Sequence, residues 1–399
     1  MSDTSGTAET PPQKRIALFL DGTWNTVGDN TNVWRLKCLC AARDAQDINQ
    51  LVYYDAGLGT QFGEKIRGGV LGYGLGKNLK DAYEWLIDNY YPGDDIFIFG
   101  FSRGAYTARS LAGFVAKCGL LRRGAPLSIN QLYARYTREN EPTIWRLPDK
   151  LTSDLTFEER WMLKYCQPIS IKFVAVWDTV GALGVPLLSI EGISRSTFGF
   201  LHTGLRTSIE NAFHALAIDE NRKSFSPTLW TKNIHKGPDA PTTAPPRLLA
   251  KTEQRWFVGA HANVGGGNQN DALAQVPLGW IMRKAAPHGL AFRDDLAIDD
   301  EVLTAPISDS FKAFMKGVYP VIKFGRRYYR TIGAPPIETE EKTTHNINET
   351  IDVSVFDRWR KVPDYRPKNL TDWAKRHSVD IAALHESVRA DDPRIAAPD

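Results

Sequence analysis

The sequence predicts an α/β fold in which a mostly parallel sheet is covered by helices on both faces and carries helical insertions. Three observations lead to this prediction. Short runs of apolar, β-branched and aromatic residues alternate along the chain with segments in which apolar residues recur at helical spacing. Several of these runs end at acidic residues or glycines, as parallel strands do before their functional loops. One run enters a helix directly through the pattern Gly-x-Ser-x-Gly at residues 100–104.

The first part of the chain supplies three predicted strands and three predicted helices. Residues 1–14 are polar and contain prolines, which predicts a disordered leader before the first strand. Each strand is a short apolar run, and each helix places apolar residues three or four positions apart. The strands are predicted at Arg15–Leu20, Leu51–Asp55 and Asp95–Phe99, the helices at Val33–Arg43, Leu79–Tyr91 and Arg103–Cys118, and a glycine-rich loop at Gly57–Gly76.

The rest of the chain continues the alternation around two interruptions. Residues 121–168 are aromatic and helical in pattern and predict an insertion without strands over the sheet. Residues 187–205 mix apolar side chains with glycine and serine, which suits a mobile lid. Residues 301–399 give no sign of a second domain and are predicted to extend the domain that spans 15–300. The remaining elements are predicted strands at Ile169–Val176 and Arg255–Val258, a helical run at Asn211–Asp219 and a helix at Leu273–Ala286.

The composition is that of a folded globular protein. Apolar residues make up 42% of the 399 residues, and 49 basic against 46 acidic side chains leave a net charge of +3. The chain has no basic block, so nothing indicates binding to nucleic acid, while the slightly basic balance permits peripheral contact with an anionic membrane. No run is long enough for a signal-peptide core or a transmembrane segment, so we expect synthesis in the cytoplasm.

Ser102 lies in the most informative motif of the chain. The strand before it is β-branched and aromatic, and Leu111 and Phe114 follow at helical spacing, so the serine falls on the turn between strand and helix. Gly100 and Gly104 would let the two elements approach closely and would expose the serine hydroxyl above the sheet. This arrangement is typical of the nucleophile elbow of α/β-hydrolases. The alternative is a capping serine on an ordinary tight turn.

A serine nucleophile needs a base within hydrogen-bond distance and a carboxylate that orients the base. In α/β-hydrolases these residues follow in the order Ser, Asp or Glu, His. Asp178 lies 76 residues after Ser102, and His261 lies 83 residues further on, each just past the end of a predicted strand. Because open α/β sheets gather functional groups at the carboxyl ends of their strands, we predict a triad of Ser102, Asp178 and His261.

Three other residues are alternatives within this triad. His214 is the main rival base, although it lies in a predicted helical run, where a histidine more often forms hydrogen bonds inside the core. Asp219 and Asp271 are the rival carboxylates. The glycines at 265–267 favour His261, because they allow its loop to curl toward the serine.

Acyl transfer also needs two hydrogen-bond donors for the oxyanion of the intermediate. One is expected from the backbone N–H of Arg103, the residue after the nucleophile, and the other from the loop after an early strand. Gly22 and Thr23 occupy that loop, so either N–H is a candidate, with an ordinary turn as the alternative. This chemistry requires no cofactor and no metal ion.

Five motifs occur in a fixed order between residue 15 and about residue 285. They are Phe19-Leu20-Asp21-Gly22-Thr23-Trp24-Asn25, Gly100-Phe101-Ser102-Arg103-Gly104-Ala105, Trp177-Asp178-Thr179-Val180-Gly181, His214-Ala215-Leu216-Ala217-Ile218-Asp219-Glu220 and Val258-Gly259-Ala260-His261-Ala262-Asn263-Val264-Gly265-Gly266-Gly267. Together they resemble the uncharacterised α/β-hydrolase domain family that includes bacterial type VI secretion phospholipase effectors of the first lipase class. The resemblance implies an α/β-hydrolase fold with its triad on Ser102, Asp178 and His261. Where the family histidine is usually followed by a Ser-Asp pair, this chain has an Ala-Asn pair at 262–263.

The resemblance implies a lipase or phospholipase that cleaves carboxylic esters through an acyl-enzyme and is delivered as an antibacterial effector by type VI secretion. The partners that it implies are a lipid or small acyl-ester substrate, a secretion spike protein and an immunity protein. Two other functions remain open. One is a soluble esterase or thioesterase that acts on a small acyl substrate, and the other is a non-catalytic adaptor with the hydrolase fold. An adaptor would keep the core but would have no need of three triad candidates.

Overall fold

The structure is a computed structural model, and it describes residues 12–22, 29–57, 69–139, 141–180, 205–237, 245–268, 271–313 and 326–398. Some of the predicted features therefore lie outside the described residues. These are the predicted lid at 187–205 except for Leu205, residues 58–68 of the predicted glycine-rich loop, the oxyanion candidate Thr23 and most of the predicted leader.

Among the described residues, eight strands form one main sheet. The strands in the described residues are β1 (Arg15–Leu20), β2 (Gln50–Asp55), β3 (Asp95–Phe101), β4 (Leu120–Leu121), β5 (Cys166–Gln167), β6 (Ile171–Trp177), β7 (Ile209–Ala217), β8 (Thr231–His235), β9 (Thr252–Phe257), β10 (Ile337–Glu338), β11 (Lys342–Asn346), β12 (Glu349–Ile351) and β13 (Val388–Arg389). The main sheet has the order β2-β1-β3-β6-β7-β9-β12-β13 and is parallel except for β13. A small antiparallel sheet has the order β10-β11-β8, and β4 pairs with β5.

The helices cover both faces of this sheet. Those in the described ranges are α1 (Asn32–Leu39), α2 (Gly69–Asn89), α3 (Ser102–Cys118), α4 (Ile129–Thr137), α5 (Phe157–Tyr165), α6 (His261–Gly265), α7 (Gln275–Ala285), α8 (Ser310–Ala313), α9 (Val353–Lys361) and α10 (Lys368–His377). All residues of α3 except Arg103 are buried, so this helix lies at the centre of its layer. Within the described part of the chain, no helix combines the length and the hydrophobicity that crossing a membrane requires.

Alternate residues of the central strands bury opposite faces of the sheet. On β1, Ile16 and Leu18 join an apolar cluster with α2 and α3, whereas Ala17 and Phe19 join a second cluster with α1 and α7. Successive side chains of a strand point to opposite faces, so a strand covered on both sides is an unbroken apolar run. The predicted α/β fold, with a mostly parallel sheet between two helical layers, is confirmed.

Two predictions of secondary structure are wrong. The run at Asn211–Asp219 is not helical, because residues 209–217 form β7 between β6 and β9. Its alanines suit a helix, but periodicity cannot distinguish a short buried strand from a buried helix. The predicted loop at Gly57–Gly76 is already helical from Gly69, as part of α2. A helix that has formed over a buried segment extends easily, because nucleation is its costly step.

The prediction that the insertion at 121–168 lacks strands is also wrong, and residues 301–399 contain strands that were not predicted. The insertion at 121–168 is bounded by β4 and β5, which pair and bring its two ends together. The insertion packs on the helical layer, since the ring of Tyr136 on α4 lies 5.3 Å from that of Phe114 on α3. Beyond residue 300, β12 and β13 complete the main sheet. Phe356 and Trp373 are buried there as members of a third apolar cluster.

Candidate active site

Ser102 occupies a strained turn at the carboxyl end of β3, where α3 begins. Its φ of 57° lies in the left-handed region, which residues other than glycine rarely adopt. A Cβ on Gly100 would lie 2.6 Å from the Gly104 carbonyl oxygen, and one on Gly104 would lie 2.2 Å from the Leu20 carbonyl oxygen. Only glycine fits at both positions. Strand and helix therefore meet in an elbow that holds the serine at the edge of the sheet.

His261 reaches the serine from the first position of α6, which follows β9. Its Nε2 lies 2.9 Å from Ser102 Oγ, and its Nδ1 lies 2.5 Å from Asp178 Oδ2. The rings of Phe101 and Phe225 lie with their centroids 4.7 and 5.1 Å from that of the imidazole. The structure therefore brings the three predicted residues into one hydrogen-bonded line and fixes the imidazole between two aromatic rings.

Asp178 follows β6 and is fully buried. Its Oδ1 accepts hydrogen bonds from the Ala217 N–H at 3.1 Å and from Arg330 Nη1 at 2.6 Å. Its Oδ2 accepts from Arg330 Nη2 at 2.9 Å and from the imidazole of His261. Burial alone would raise the pKa of this carboxyl. Arg330 and His261 lower the pKa by more than burial raises it, so the pKa lies well below its usual range. Asp178 is therefore ionised at neutral pH.

The imidazole of His261 is held in its neutral form. Burial lowers the pKa of His261 and Arg222 lowers it as well, against the opposing effect of Asp178. The ionised Asp178 can only accept a hydrogen bond, so Nδ1 carries the proton and Nε2 presents its lone pair to the Ser102 hydroxyl. In this state His261 can accept the serine proton.

The rival base His214 belongs to a different hydrogen-bond network. Its Nε2 accepts from the Thr179 N–H at 3.0 Å, and its Nδ1 lies 3.3 Å from Gln254 Oε1. Burial, followed by the charge of Arg109, lowers the pKa of His214 to about 3, so it is neutral at ordinary pH. The geometry gives His214 a structural role, which is to hold the backbone directly after Asp178.

The rival carboxylates also have partners of their own. Asp219 accepts hydrogen bonds from the Gly259 N–H at 2.7 Å and from the Tyr365 hydroxyl at 3.1 Å. Asp271 forms an ion pair of 2.6 Å with Arg35. Asp178 is thus the candidate carboxylate that the structure brings to His261.

The candidate oxyanion donors differ in their surroundings. The Arg103 N–H lies at the N-terminus of α3, where backbone N–H groups point out of the helix. Gly22 follows β1, but its N–H donates to the carboxylate of Asp21 at 2.7 Å. The hydroxyl of Thr31 holds that carboxylate in turn, at 2.5 Å. The Gly22 N–H is therefore engaged by its neighbour, and Thr23 lies outside the described residues.

The Ala-Asn pair after His261 stabilises its loop. Asn263 Oδ1 accepts from the Ala260 N–H at 3.2 Å and from the Ser308 N–H at 3.0 Å. The first of these bonds closes the turn that begins α6. The side chain that replaces the acidic residue of the family pattern therefore fixes the backbone from which His261 projects.

Two charged residues of the site were not predicted. Glu220 accepts a hydrogen bond from the His261 N–H at 3.3 Å and pairs with Arg222 at 2.7 Å. It ends one of the five motifs, so a signal for it was present in the sequence. Arg330 lies 152 residues from its partner Asp178 in a stretch without a recognisable motif.

The mostly parallel sheet, the elbow after β3 and the hydrogen-bonded line from Ser102 to Asp178 are features of the α/β-hydrolase fold. Residues 14–284 match a family model described as "T6SS, Phospholipase effector Tle1-like, catalytic domain". The chain belongs to this Tle1-like family of type VI secretion phospholipase effectors, which confirms the resemblance drawn from the five motifs.

Individual proteins are similar to the chain at low identity. "Uncharacterized protein YEL023C" of Saccharomyces cerevisiae is 26% identical over 238 aligned residues, in a match that covers 55% of this chain and 33% of the yeast protein. The crystal structure of an uncharacterised protein from Pseudomonas aeruginosa has 18% identity and a TM-score of 0.39, and the match covers 76% of this chain and 50% of that chain. The structure of the Tle1 effector bound to the VgrG spike has 18% identity and a TM-score of 0.35, and the match covers 65% of this chain and 52% of that chain. The chain thus spans about a third of the yeast protein and about half of each solved chain.

Proposed function

We propose that the chain is a serine hydrolase that cleaves carboxylic ester bonds of phospholipids through an acyl-enzyme. The observation that supports this most directly is the hydrogen-bonded line from Ser102 Oγ through the neutral imidazole of His261 to Asp178. In such a line the serine proton passes to Nε2 while Oγ attacks, and the carboxylate stabilises the imidazolium that forms. Membership of a phospholipase family supports lipids as the substrate class.

The proposed reaction runs in two halves. Ser102 Oγ bonds to the ester carbonyl carbon, its proton moves to His261 Nε2, and the carbonyl oxygen becomes an oxyanion. The N–H groups of Arg103 and Thr23 are the proposed oxyanion donors, because that of Gly22 is engaged by the adjacent carboxylate. The C–O bond to the alcohol then breaks, and His261 returns its proton to the leaving oxygen. Water repeats the attack on the acyl-serine, which releases the fatty acid and restores Ser102.

Replacement of the nucleophile tests the serine mechanism. Ser102→Ala is expected to slow fatty-acid release from phospholipid vesicles by roughly 10⁴-fold or more, with an unchanged circular dichroism spectrum. Mass spectrometry of the released fatty acid and lysophospholipid provides the measurement. A folded Ser102→Ala protein with the activity of the unmodified protein would refute the mechanism.

A soluble ester distinguishes a lipase from a soluble esterase or thioesterase. For a lipase, the rate on a short-chain p-nitrophenyl ester is expected to rise sharply once the ester exceeds its solubility and forms an interface. A rate that saturates smoothly through that concentration would favour the soluble enzyme.

The family also supports type VI secretion as the route of delivery, and with it a spike protein and an immunity protein as partners. The match to a yeast protein favours a second candidate, an ester hydrolase with no role in secretion. Expression in a Gram-negative bacterial host, with and without a leader that directs the chain to the periplasm, separates the two. An effector is expected to lyse cells from the periplasm, and Ser102→Ala is the matched control. Growth unaffected by the active, exported protein would favour the second candidate.

A further inference from the structure

Arg330 is a buried arginine at the candidate site. Its side chain is 1% exposed, and its terminal nitrogens donate to both oxygens of Asp178, Nη1 to Oδ1 at 2.6 Å and Nη2 to Oδ2 at 2.9 Å. The same nitrogens donate to the carbonyls of Ala217 at 2.8 Å and Phe225 at 2.5 Å. The planar fork of a guanidinium suits a carboxylate that it meets with two donors. The two carbonyls hold that fork in one orientation.

Asp178 Oδ2 is shared between Arg330 and His261. The first donates through Nη2 at 2.9 Å and the second through Nδ1 at 2.5 Å. A carboxylate that is already paired with a cation stabilises an additional positive charge less than an unpaired one does. Arg330 therefore limits how strongly Asp178 favours the protonated imidazole, the form that cannot act as a base.

Other charged and titratable groups face this pair from the neighbouring elements. Glu220 accepts from the His261 N–H at 3.3 Å, and its charge is balanced by Arg222 at 2.7 Å. His214 on β7 approaches from beside Asp178, where burial lowers its pKa to about 3 and keeps it neutral. Asp219 also interacts with the charge of Arg330, and burial raises the pKa of Asp219 to about 6. Among the described residues, Glu220 and Arg222 balance each other and His214 carries no charge, so Arg330 is the cation that pairs with Asp178.

We propose that Arg330 is a positioning residue of the triad, which keeps Asp178 ionised and oriented and allows His261 to act as a base at lower pH than Asp178 alone would permit. This inference rests on the proposed serine hydrolase function and deepens it. Arg330 also lies beyond residue 284, where the match to the family model ends, so the remaining part of the chain contributes a residue to the site.

The sign of the effect follows from the charges. Removing the guanidinium makes protonation more favourable for both Asp178 and His261. Both groups must be deprotonated before Ser102 can attack. The acidic limb of the pH–rate profile should therefore move to higher pH.

The test compares the pH dependence of kcat/KM in the full chain for the unmodified protein, Arg330→Lys and Arg330→Gln. Rates are divided by the concentration of enzyme that a fluorophosphonate probe labels at Ser102, so misfolded protein does not count. We expect the acidic limb to move up by about one pH unit in Arg330→Gln. A smaller shift is expected in Arg330→Lys, which keeps the charge but loses the fork. In both variants kcat should fall more than KM changes, since the arginine is buried beneath the reacting groups and not exposed to substrate.

Arg358→Gln is the matched control. Arg358 is also buried, and its Nη1 donates to the carbonyls of Leu303 at 2.6 Å and Ala305 at 2.8 Å. Its loss is expected to lower stability and to leave the acidic limb in place. The proposal would be overturned if the acidic limb of Arg330→Gln coincided with that of the unmodified protein. If Arg330→Gln did not fold, an unmodified profile and kcat in Arg330→Lys would overturn it.

The labelling step separates this proposal from the proposed function. If the probe labels Ser102 and the Arg330 variants keep the profile of the unmodified protein, only the positioning role fails. If the unmodified protein hydrolyses esters but is not labelled at Ser102, the serine mechanism itself fails.

Discussion

Asp178→Asn is expected to destabilise the fold as well as abolish hydrolysis, whereas Ser102→Ala should only abolish hydrolysis. Asp178 is fully buried and Arg330 is 1% exposed, and the two meet through a pair of hydrogen bonds at 2.6 and 2.9 Å. An asparagine in this place offers one oxygen and no charge. The guanidinium would then remain in the interior without its counter-ion.

The size of the difference follows from these contacts. Removing one member of a buried ion pair costs about 3–5 kcal/mol of stability, because the other charge stays buried and uncompensated. Ser102→Ala removes one hydrogen bond to His261, worth about 0.5–1.5 kcal/mol, and leaves no charge behind. The two variants should therefore differ by roughly 2–4 kcal/mol in free energy of unfolding, although both lose about 10⁴-fold in turnover.

Urea denaturation at pH 7, followed by tryptophan fluorescence, measures this difference. Asp309→Asn is the control, because Asp309 pairs with Arg327 at 2.7 Å while both side chains are about a third exposed. Ion pairs that are exposed in this way contribute about 0–1 kcal/mol to stability. The double variant of Asp178→Asn with Arg330→Met should recover part of the lost stability. An Asp178→Asn protein as stable as Ser102→Ala would refute the assignment of a tightly paired, ionised Asp178.

Two further predictions concern the rival base and the elbow. His261→Ala is expected to lose ester hydrolysis, whereas His214→Ala should keep most of it. His214→Ala should instead lose about 1–3 kcal/mol of stability, since it leaves the buried Thr179 N–H without its acceptor. An inactive His214→Ala together with an active His261→Ala would exchange the roles of the two histidines. Gly104→Ala should give no folded protein on expression, because its Cβ would lie 2.2 Å from a backbone oxygen. Gly76→Ala is the control and should fold, because its Cβ would meet only the hydroxyl end of a tyrosine, at 3.1 Å. A soluble, active Gly104→Ala protein would show that the elbow can relax.

The residues that sequence could locate are those whose chemistry depends on local structure. A serine between two glycines after an apolar strand indicates a tight turn between strand and helix. A parallel sheet brings the carboxyl ends of β3, β6 and β9 to one edge, so the sequence alone could place Ser102, Asp178 and His261 together. The strand β7 could not be recognised, because its run of alanine, leucine and phenylalanine satisfies a buried helix equally well.

Arg330 shows why the rest of the site was out of reach. Its pairing with Asp178 depends on how a segment 152 residues away returns to the sheet, and no periodicity or spacing encodes that return. Surrounding residues of the same kind, Arg326 and Arg327, give it no distinguishing mark. Burial of the guanidinium, which only the folded chain determines, is what separates it from a solvated basic side chain.

The strand β12 sets a limit on how the protein can be divided for experiments. It pairs with β9 in parallel at Glu349–Ile351, well past residue 284, where the family match stops. A fragment cut at that boundary would leave the N–H and C=O groups of β9 open at a new sheet edge and would uncover Trp256, which is now fully buried. Open edges beside exposed apolar surface favour association between chains. Fragments intended for crystallisation or binding studies should therefore keep the strands up to Arg389, or they will report on aggregates rather than on the folded protein.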